Sequence, residues 1–292
     1  MCKKIYTSRN HSMACAFLKS AKTTFPGCDI IDYQIETLKE CLNDTITSGD
    51  AAKRLALHPE ASSTPVELQQ RLVGLWTLLN ETAVNGKSAQ PKIISVLQAI
   101  RQLPEARVPT GEGEGAMDFD DGYYWRELTG WANDWADAFN AYASGYLIEA
   151  PEDDQRRTDW TNACAFTARL AVAGDEALSS YGAGLDRAMT AISRVLEVDA
   201  GEGEPKGLEA AAHVFMYASS ELYRRCKGGR AEGLPTNKNG LWQGGDGYSD
   251  GRWKLWMDRW IEFARNDAFS EHARSLALQA WDAIKAIERL RE

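Results

Sequence analysis

The sequence predicts an all-α protein, a single compact bundle of about 8–10 helices with a long Gly-rich loop at 228–251. Three observations carry this. There are 40 Ala against 22 Ile and Val together, so strong helix formers far outnumber β-branched residues. Apolar residues recur at spacings of three and four along most of the chain. No segment shows strict apolar–polar alternation, and no repeat of fixed period is present. A chain of 292 residues can bury enough surface for one large core or two small ones. We read 1–24 as an N-terminal tail or short helix and 25–292 as a single helical domain.

In the first segment, Cys15, Phe17 and Leu18 allow a short amphipathic turn, and a loose tail fits equally. Ile31, Ile35, Leu38 and Leu42 mark a first helix. Thr64-Pro65-Val66-Glu67 is a helix start: Thr64 can cap, Pro65 suits the first helical position, and Glu67 can reach back. Leu68, Leu72, Leu75, Trp76 and Leu79 then share one face. Ile93, Ile94, Leu97 and Ile100 repeat the pattern behind Pro91. Residues 104–117, rich in Gly, Glu and Pro, form a loop. A long helix is expected over about 121–143, with Tyr124, Leu128, Trp131, Trp135, Phe139 and Tyr142 as its stripe. A charged loop at 150–157 precedes a helix carrying Trp160, Ala163, Phe166 and Leu170. Leu178, Tyr181, Leu185, Met189, Ile192 and Leu196 predict a further helix, and 199–206 is a Gly/Glu-rich linker. Helix signals return at 207–226. The segment 228–251 carries eight Gly in 24 residues, and loops of that length are usually functional or disordered. The last two helices are expected over about 251–265 and 270–290.

Composition narrows the function. The net charge is −9 and there is no basic block, which argues against nucleic acid as a partner. The longest apolar runs fall far short of a membrane span. Hydrophobic content of 44% fits a globular protein. Cys2, Cys15, Cys28, Cys41, Cys164 and Cys226 include no CxxC and no His at zinc-ligand spacing. The N-terminus is interrupted by Arg9, Asn10 and His11 and does not read as a signal peptide, so reduced thiols and a cytoplasmic location are expected. No Walker loop and no GxGxxG behind a strand occurs, so no cofactor and no metal are expected.

Four groups of residues can carry chemistry. Asp118-Phe119-Asp120-Asp121 has the DxDD pattern with which class II terpene cyclases protonate an alkene; its ordinary role is that Asp120 or Asp121 caps the helix behind it. Glu127, Trp131, Asp134 and Trp135 would share one side of the expected helix, where indoles strip water from the carboxyls and raise their pKa. The ordinary role there is the border between an apolar stripe and a solvated face. Trp253, Trp256 and Trp260 form a helix face, either core packing or an aromatic wall for a planar or cationic ligand. His213 has Tyr217 four residues on, either a base with a neighbour or a satisfied core histidine.

Three blocks carry a family resemblance: Tyr124-Trp125-Arg126-Glu127-Leu128 with the Trp131/Trp135 helix; Asp159-Trp160-Thr161-Asn162 through Arg169-Leu170; and Leu241-Trp242-Gln243-Gly244, then Gly247-Tyr248-Ser249 and Arg252-Trp253 through Trp260. Over roughly 60–290 the chain resembles a fungal family known only as a domain of unknown function. It departs from that pattern at Tyr248 and Trp260, where Phe is usual, and at Asp250-Gly251. The resemblance implies an all-helical, cofactor-free protein, with some members encoded in fungal secondary-metabolite gene clusters, where such proteins are often cyclases or isomerases. The resulting expectation is a cofactor-independent cyclase acting on a small hydrophobic aromatic substrate of the prenylated polyketide class. A carboxylic acid protonates an alkene and a phenol oxygen captures the cation. The expected acids are Asp121, Glu127 or Asp134; the expected walls are Trp125, Trp131, Trp135, Trp160, Trp253 and Trp256; Asn162, Arg169 and Tyr217 would orient the substrate. A homodimer is compatible with this reading. The alternative is a non-catalytic helical interaction or regulatory module.

Overall fold

The structure is a computed structural model. It describes residues 3–110, 119, 122–149, 153–179, 183–199, 201, 203–229, 236 and 240–290, with side chains from residue 14 onward. The described residues form twelve α-helices, more than the number expected, and an isolated antiparallel bridge between Arg107 and Tyr123. The helices are α1 (Lys3–Thr24), α2 (Asp32–Leu42), α3 (Ser48–Glu60), α4 (Pro65–Asn85), α5 (Gln90–Arg101), α6 (Trp131–Ser144), α7 (Asp154–Ala171), α8 (Glu176–Ser179), α9 (Met189–Leu196), α10 (Leu208–Gly228), α11 (Asp250–Ala264) and α12 (Glu271–Arg289). None is long and apolar enough to cross a membrane. The chain divides into two compact units, interleaved in sequence: Met1–Ser144 with Asp175–Ala183, and Gly145–Gly174 with Gly184–Glu292.

In the first unit α4 is the hub and contacts α1, α3, α5 and α6. Leu68, Leu72, Leu75, Trp76 and Leu79, the stripe read from sequence, are all fully buried. Burying each such side chain contributes about 1.5–3 kcal/mol, which outweighs helix propensity as the reason this segment is helical. Thr64 Oγ1 accepts the Glu67 N–H at 3.2 Å, and Glu67 reaches back to the Ser63 N–H at 2.7 Å, one residue further than a capping box requires. α4 passes so close to the loop between α1 and α2 that a Cβ on Gly74 would lie 2.4 Å from the Asp29 carbonyl oxygen.

Three elements differ from the sequence expectation. α1 is a continuous helix of 22 residues, neither tail nor short turn, and its Ala14, Phe17, Leu18 and Ala21 are buried. α3 carries no long apolar run; Thr47 caps it by accepting the Asp50 N–H at 3.0 Å, and Ala51, Ala52, Leu55 and Ala56 form its buried face. The stripe over 178–196 is split into α8, a 3-10 turn at Leu185–Ala188 and α9. Leu178, Leu185, Met189, Ile192 and Leu196 are still buried, so burial survives where helical continuity does not; Tyr181 lies outside the described residues.

In the second unit α10 packs against α7 and α12, and α11 lies on α12. Phe215 of α10 is the centre of an aromatic cluster: Trp253, Trp256 and Trp260 of α11 surround it with ring centroids at 6.2, 5.8 and 5.6 Å. The described part of the Gly-rich loop is irregular and tied down. The Leu241 N–H donates to the Glu197 carbonyl at 2.7 Å, and the Trp242 indole donates to the Gly245 carbonyl at 2.9 Å.

Candidate functional site

In the first unit, the expected helix over 121–143 begins only at Trp131. The turn before it passes through left-handed backbone at Leu128 (φ 50°) and at Gly130 (φ 81°), and a helix cannot continue through either. Glu127 therefore sits in an exposed turn, away from the helical side it was expected to share with Trp131 and Asp134. That placement is corrected by local backbone geometry, which spacing cannot reveal. Asp121, with Asp118 and Asp120, lies outside the described residues.

Asp134 is in the first turn of α6 and partly exposed. Asn80 of α4 bridges it to an indole: the Asn80 amide donates to Asp134 Oδ2 at 2.8 Å, and its carbonyl accepts the Trp131 Nε1–H at 3.0 Å. The indole can only donate, so it fixes which end of the amide faces the carboxyl. Burial pushes the Asp134 carboxyl up to about 6; the Asn80 hydrogen bond opposes this and the Asp137 charge adds to it. Burial wins, so this carboxyl holds its proton nearer neutrality than an ordinary aspartate.

The other candidate indoles of this unit are packed inside. Trp125, Trp131 and Trp135 have no exposed surface. Trp125 meets Trp76 edge-on at 6.4 Å, and Trp135 meets Phe139 edge-on at 6.1 Å. The Trp125 indole donates to Glu60 at 3.0 Å. Glu60, Tyr124 and Glu105 line an open pocket of about 480 Å³. Burial, with the Glu60 charge adding, raises the Tyr124 phenol to about 12, so it stays protonated.

In the second unit Trp160 and Trp256 are fully buried, Trp253 is 3% exposed and Asn162 is buried. The Trp256 indole donates to Glu197 at 2.8 Å. Arg169 and Tyr217, read separately from sequence, meet: the guanidinium lies 3.7 Å from the centre of the phenol ring, whose other neighbour is the stacked His213 imidazole at 5.7 Å. Tyr217 is thus held by α7 and by its own helix.

Sequence reasoning missed Asn80, Glu60, Tyr124, Glu197 and Arg252. Asn80 gave no signal, being one polar residue on an amphipathic helix. Arg252 did: it stands four residues before Trp256, on the buried stripe of α11, where a charge needs a partner. Among the described residues no group of three His, Cys, Asp or Glu is placed to hold a metal ion.

These features define a class: an all-helical protein of amphipathic helices, with tryptophans packed inward and carboxyls hydrogen bonded to indoles. Its family is the one described as "Protein of unknown function (DUF3632)", to which the chain belongs; the match covers residues 76–260, from Trp76 in α4 to Trp260 in α11. No curated protein and no solved structure matches the chain.

Proposed function

We propose that the protein promotes acid-assisted ring closure of a small hydrophobic aromatic molecule, with Asp134 as the proton donor. The observation that supports this is the raised, oriented carboxyl of Asp134. At pH 7 a pKa of about 6 leaves about one such carboxyl in ten protonated, against about one in 1,600 at the ordinary 3.8. The Asp134 proton adds to an alkene carbon, the phenol oxygen attacks the resulting cation, and the phenol proton returns to the Asp134 carboxylate. The net reaction is an isomerisation that regenerates the acid and consumes no co-reactant. Asn80 would act as a positioning residue by holding the carboxyl. Membership of fungal secondary metabolism and a prenylated polyketide substrate belong to this proposal, as implied by the family resemblance.

A second reading, a non-catalytic helical module, is favoured by one observation: Trp125, Trp131, Trp135, Trp160 and Trp256 are sealed in the two cores. Indoles so packed stabilise helices and present no wall to a ligand.

One experiment separates the two. The encoding gene is deleted, metabolites are profiled, and the strain is complemented with wild type, Asp134→Asn or Asp134→Glu. The cyclase reading expects an uncyclised alkenyl phenol to accumulate in the deletion and with Asp134→Asn, and to disappear with wild type. Full complementation by Asp134→Asn sinks the acid assignment. An unchanged profile in the deletion supports the module.

A further inference from the structure

Arg169 lies in the last turn of α7 and is half-buried. Its guanidinium carbon stands 3.7 Å from the centre of the Tyr217 ring of α10. The His213 imidazole is stacked on the same ring at 5.7 Å, with 15° between the planes. A cation over a π face is attracted to it and held in place. The N–H groups of a guanidinium form a planar fork, and seating on a ring does not use them as hydrogen-bond donors to oxygen.

That fork lacks acceptors. The Arg169 Nε–H is buried without a hydrogen-bond partner, and no carboxylate pairs with the guanidinium among the described residues. Other arginines of the unit are placed differently. Arg252 meets Glu197, and Arg225 meets Glu221 and Asp186. Arg259 also has a buried, unpaired Nε and covers a ring, that of Phe263, yet its Nη1 reaches Glu262 at 2.7 Å. Nor does Arg169 cap its own helix, since the Arg169 and Leu170 carbonyls accept the Val172 and Ala173 N–H groups at 3.3 and 3.1 Å. The negative end of the α7 dipole favours its charge, but a dipole does not satisfy a buried donor. Leaving that donor unpaired is unfavourable, and a ligand oxygen would relieve it.

The geometry of the fork selects the ligand. Nε–H and one Nη–H run parallel along one edge of a guanidinium and match the two oxygens of a carboxylate. A dianion would bring a second charge that one guanidinium cannot neutralise, at a partly desolvated edge. A neutral amide offers one oxygen and turns its own N–H groups toward the donors. The seat on Tyr217 fixes the fork before any ligand arrives, so little freedom is lost on binding.

We propose that Arg169, seated on Tyr217, is the receptor for a small organic monocarboxylate, taken side-on through Nε–H and an Nη–H. The site is separate from the Asp134 chemistry. Arg169 and Tyr217 belong to the second unit and Asp134 to the first, and Asp134→Asn should leave this binding unchanged.

The test reads the Nε–H itself. Proton–nitrogen correlation spectra of the full chain are recorded as benzoate is added, with benzamide as the neutral isostere and inorganic phosphate as the dianion. The Arg169 signal is assigned through the bonds of its own side chain, so this measurement needs no variant. Benzoate should move the Nε–H proton downfield to saturation, with benzamide and phosphate binding about tenfold more weakly or less. Arg169→Lys keeps the charge and loses the fork, and should weaken benzoate about tenfold by calorimetry. Tyr217→Leu removes the seat and should weaken it about fivefold, whereas Tyr217→Phe keeps the ring and should not. An Nε–H signal that stays in place up to roughly 50 mM benzoate overturns the proposal. So does equal binding of benzoate and benzamide, phosphate binding as tight as benzoate, or unaltered benzoate affinity in a folded Arg169→Lys.

Discussion

Arg252 and Glu197 form a two-pronged ion pair inside the second unit, Nε to Oε1 at 2.7 Å and Nη2 to Oε2 at 2.8 Å, with neither side chain meaningfully exposed. The pair is completed by its surroundings: Arg252 Nη1 donates to the Gly247 carbonyl at 2.8 Å, and the Trp256 indole donates to Glu197 Oε1. It ties the end of α9 to the start of α11 and pins the last turn of the Gly-rich loop. Removing one partner leaves a buried charge uncompensated, so Arg252→Met alone should cost about 3–5 kcal/mol. Arg252→Met with Glu197→Gln should recover a large part of that. Urea unfolding of both variants measures the difference; equal losses would place the cost in packing instead of charge.

Two tryptophans four residues apart on α11 should respond unequally to the same change. The Trp256 indole donates to a buried carboxylate, whereas the Trp260 Nε1–H is buried with no hydrogen-bond partner. Trp256→Phe loses a charge-assisted bond and should cost about 1.5–3 kcal/mol beyond lost packing. Trp260→Phe removes an unsatisfied donor, which offsets part of the cavity it creates, and should cost clearly less. Thermal melts of the two variants side by side decide it.

Asp134 makes stability depend on pH in the direction opposite to a salt-bridged aspartate. Its folded pKa of about 6 exceeds the ordinary 3.8, so between these values the folded state binds more protons than the unfolded one. Stability from this group is full below pH 3.8 and is lost as pH rises through about 6. Asp134→Asn keeps an acceptor for Asn80 and removes the charge. It should stabilise the protein by about 1–2 kcal/mol at pH 7.5, a figure reduced for the partial exposure of the carboxyl, and by nothing near pH 4. Mutant-minus-wild-type unfolding energies across that range are the measurement.

Gly74→Ala reverses the sign that helix propensity predicts. In an open helix the change stabilises by about 1 kcal/mol. Here the new Cβ would meet the Asp29 carbonyl oxygen at 2.4 Å, and that atom is backbone, so it cannot rotate away. A net loss of about 2 kcal/mol or more is expected from the forced separation of α4 and the loop. A stabilised variant would mean that the loop at Asp29 yields.

Much of the fold was legible because helical burial is written at short range. The stripes of α4 and α5 need only residues three and four apart, and α11 and α12 were placed within a residue of their observed limits. The errors fell where backbone conformation broke a good stripe. Leu128 is buried, as its apolar spacing requires, but its left-handed φ turns the chain and removes Glu127 from α6. The stripe over 178–196 failed for the same reason: it marked burial correctly and continuity wrongly.

Of the candidate site, Asp134 beside an indole was legible and its partner was not. Asn80 is 54 residues away, and Glu197 is 55 residues from Arg252. Nothing local distinguishes either from any other polar residue on an amphipathic helix. The sequence by itself determined that this protein is helical, which faces turn inward, and that its indoles and carboxyls stand close along the chain. Only the tertiary structure decided which carboxyl keeps a proton and which arginine is neutralised in the core. Periodicity sets burial one residue at a time, whereas desolvation, hydrogen bonding and charge pairing depend on what packing brings from far along the chain.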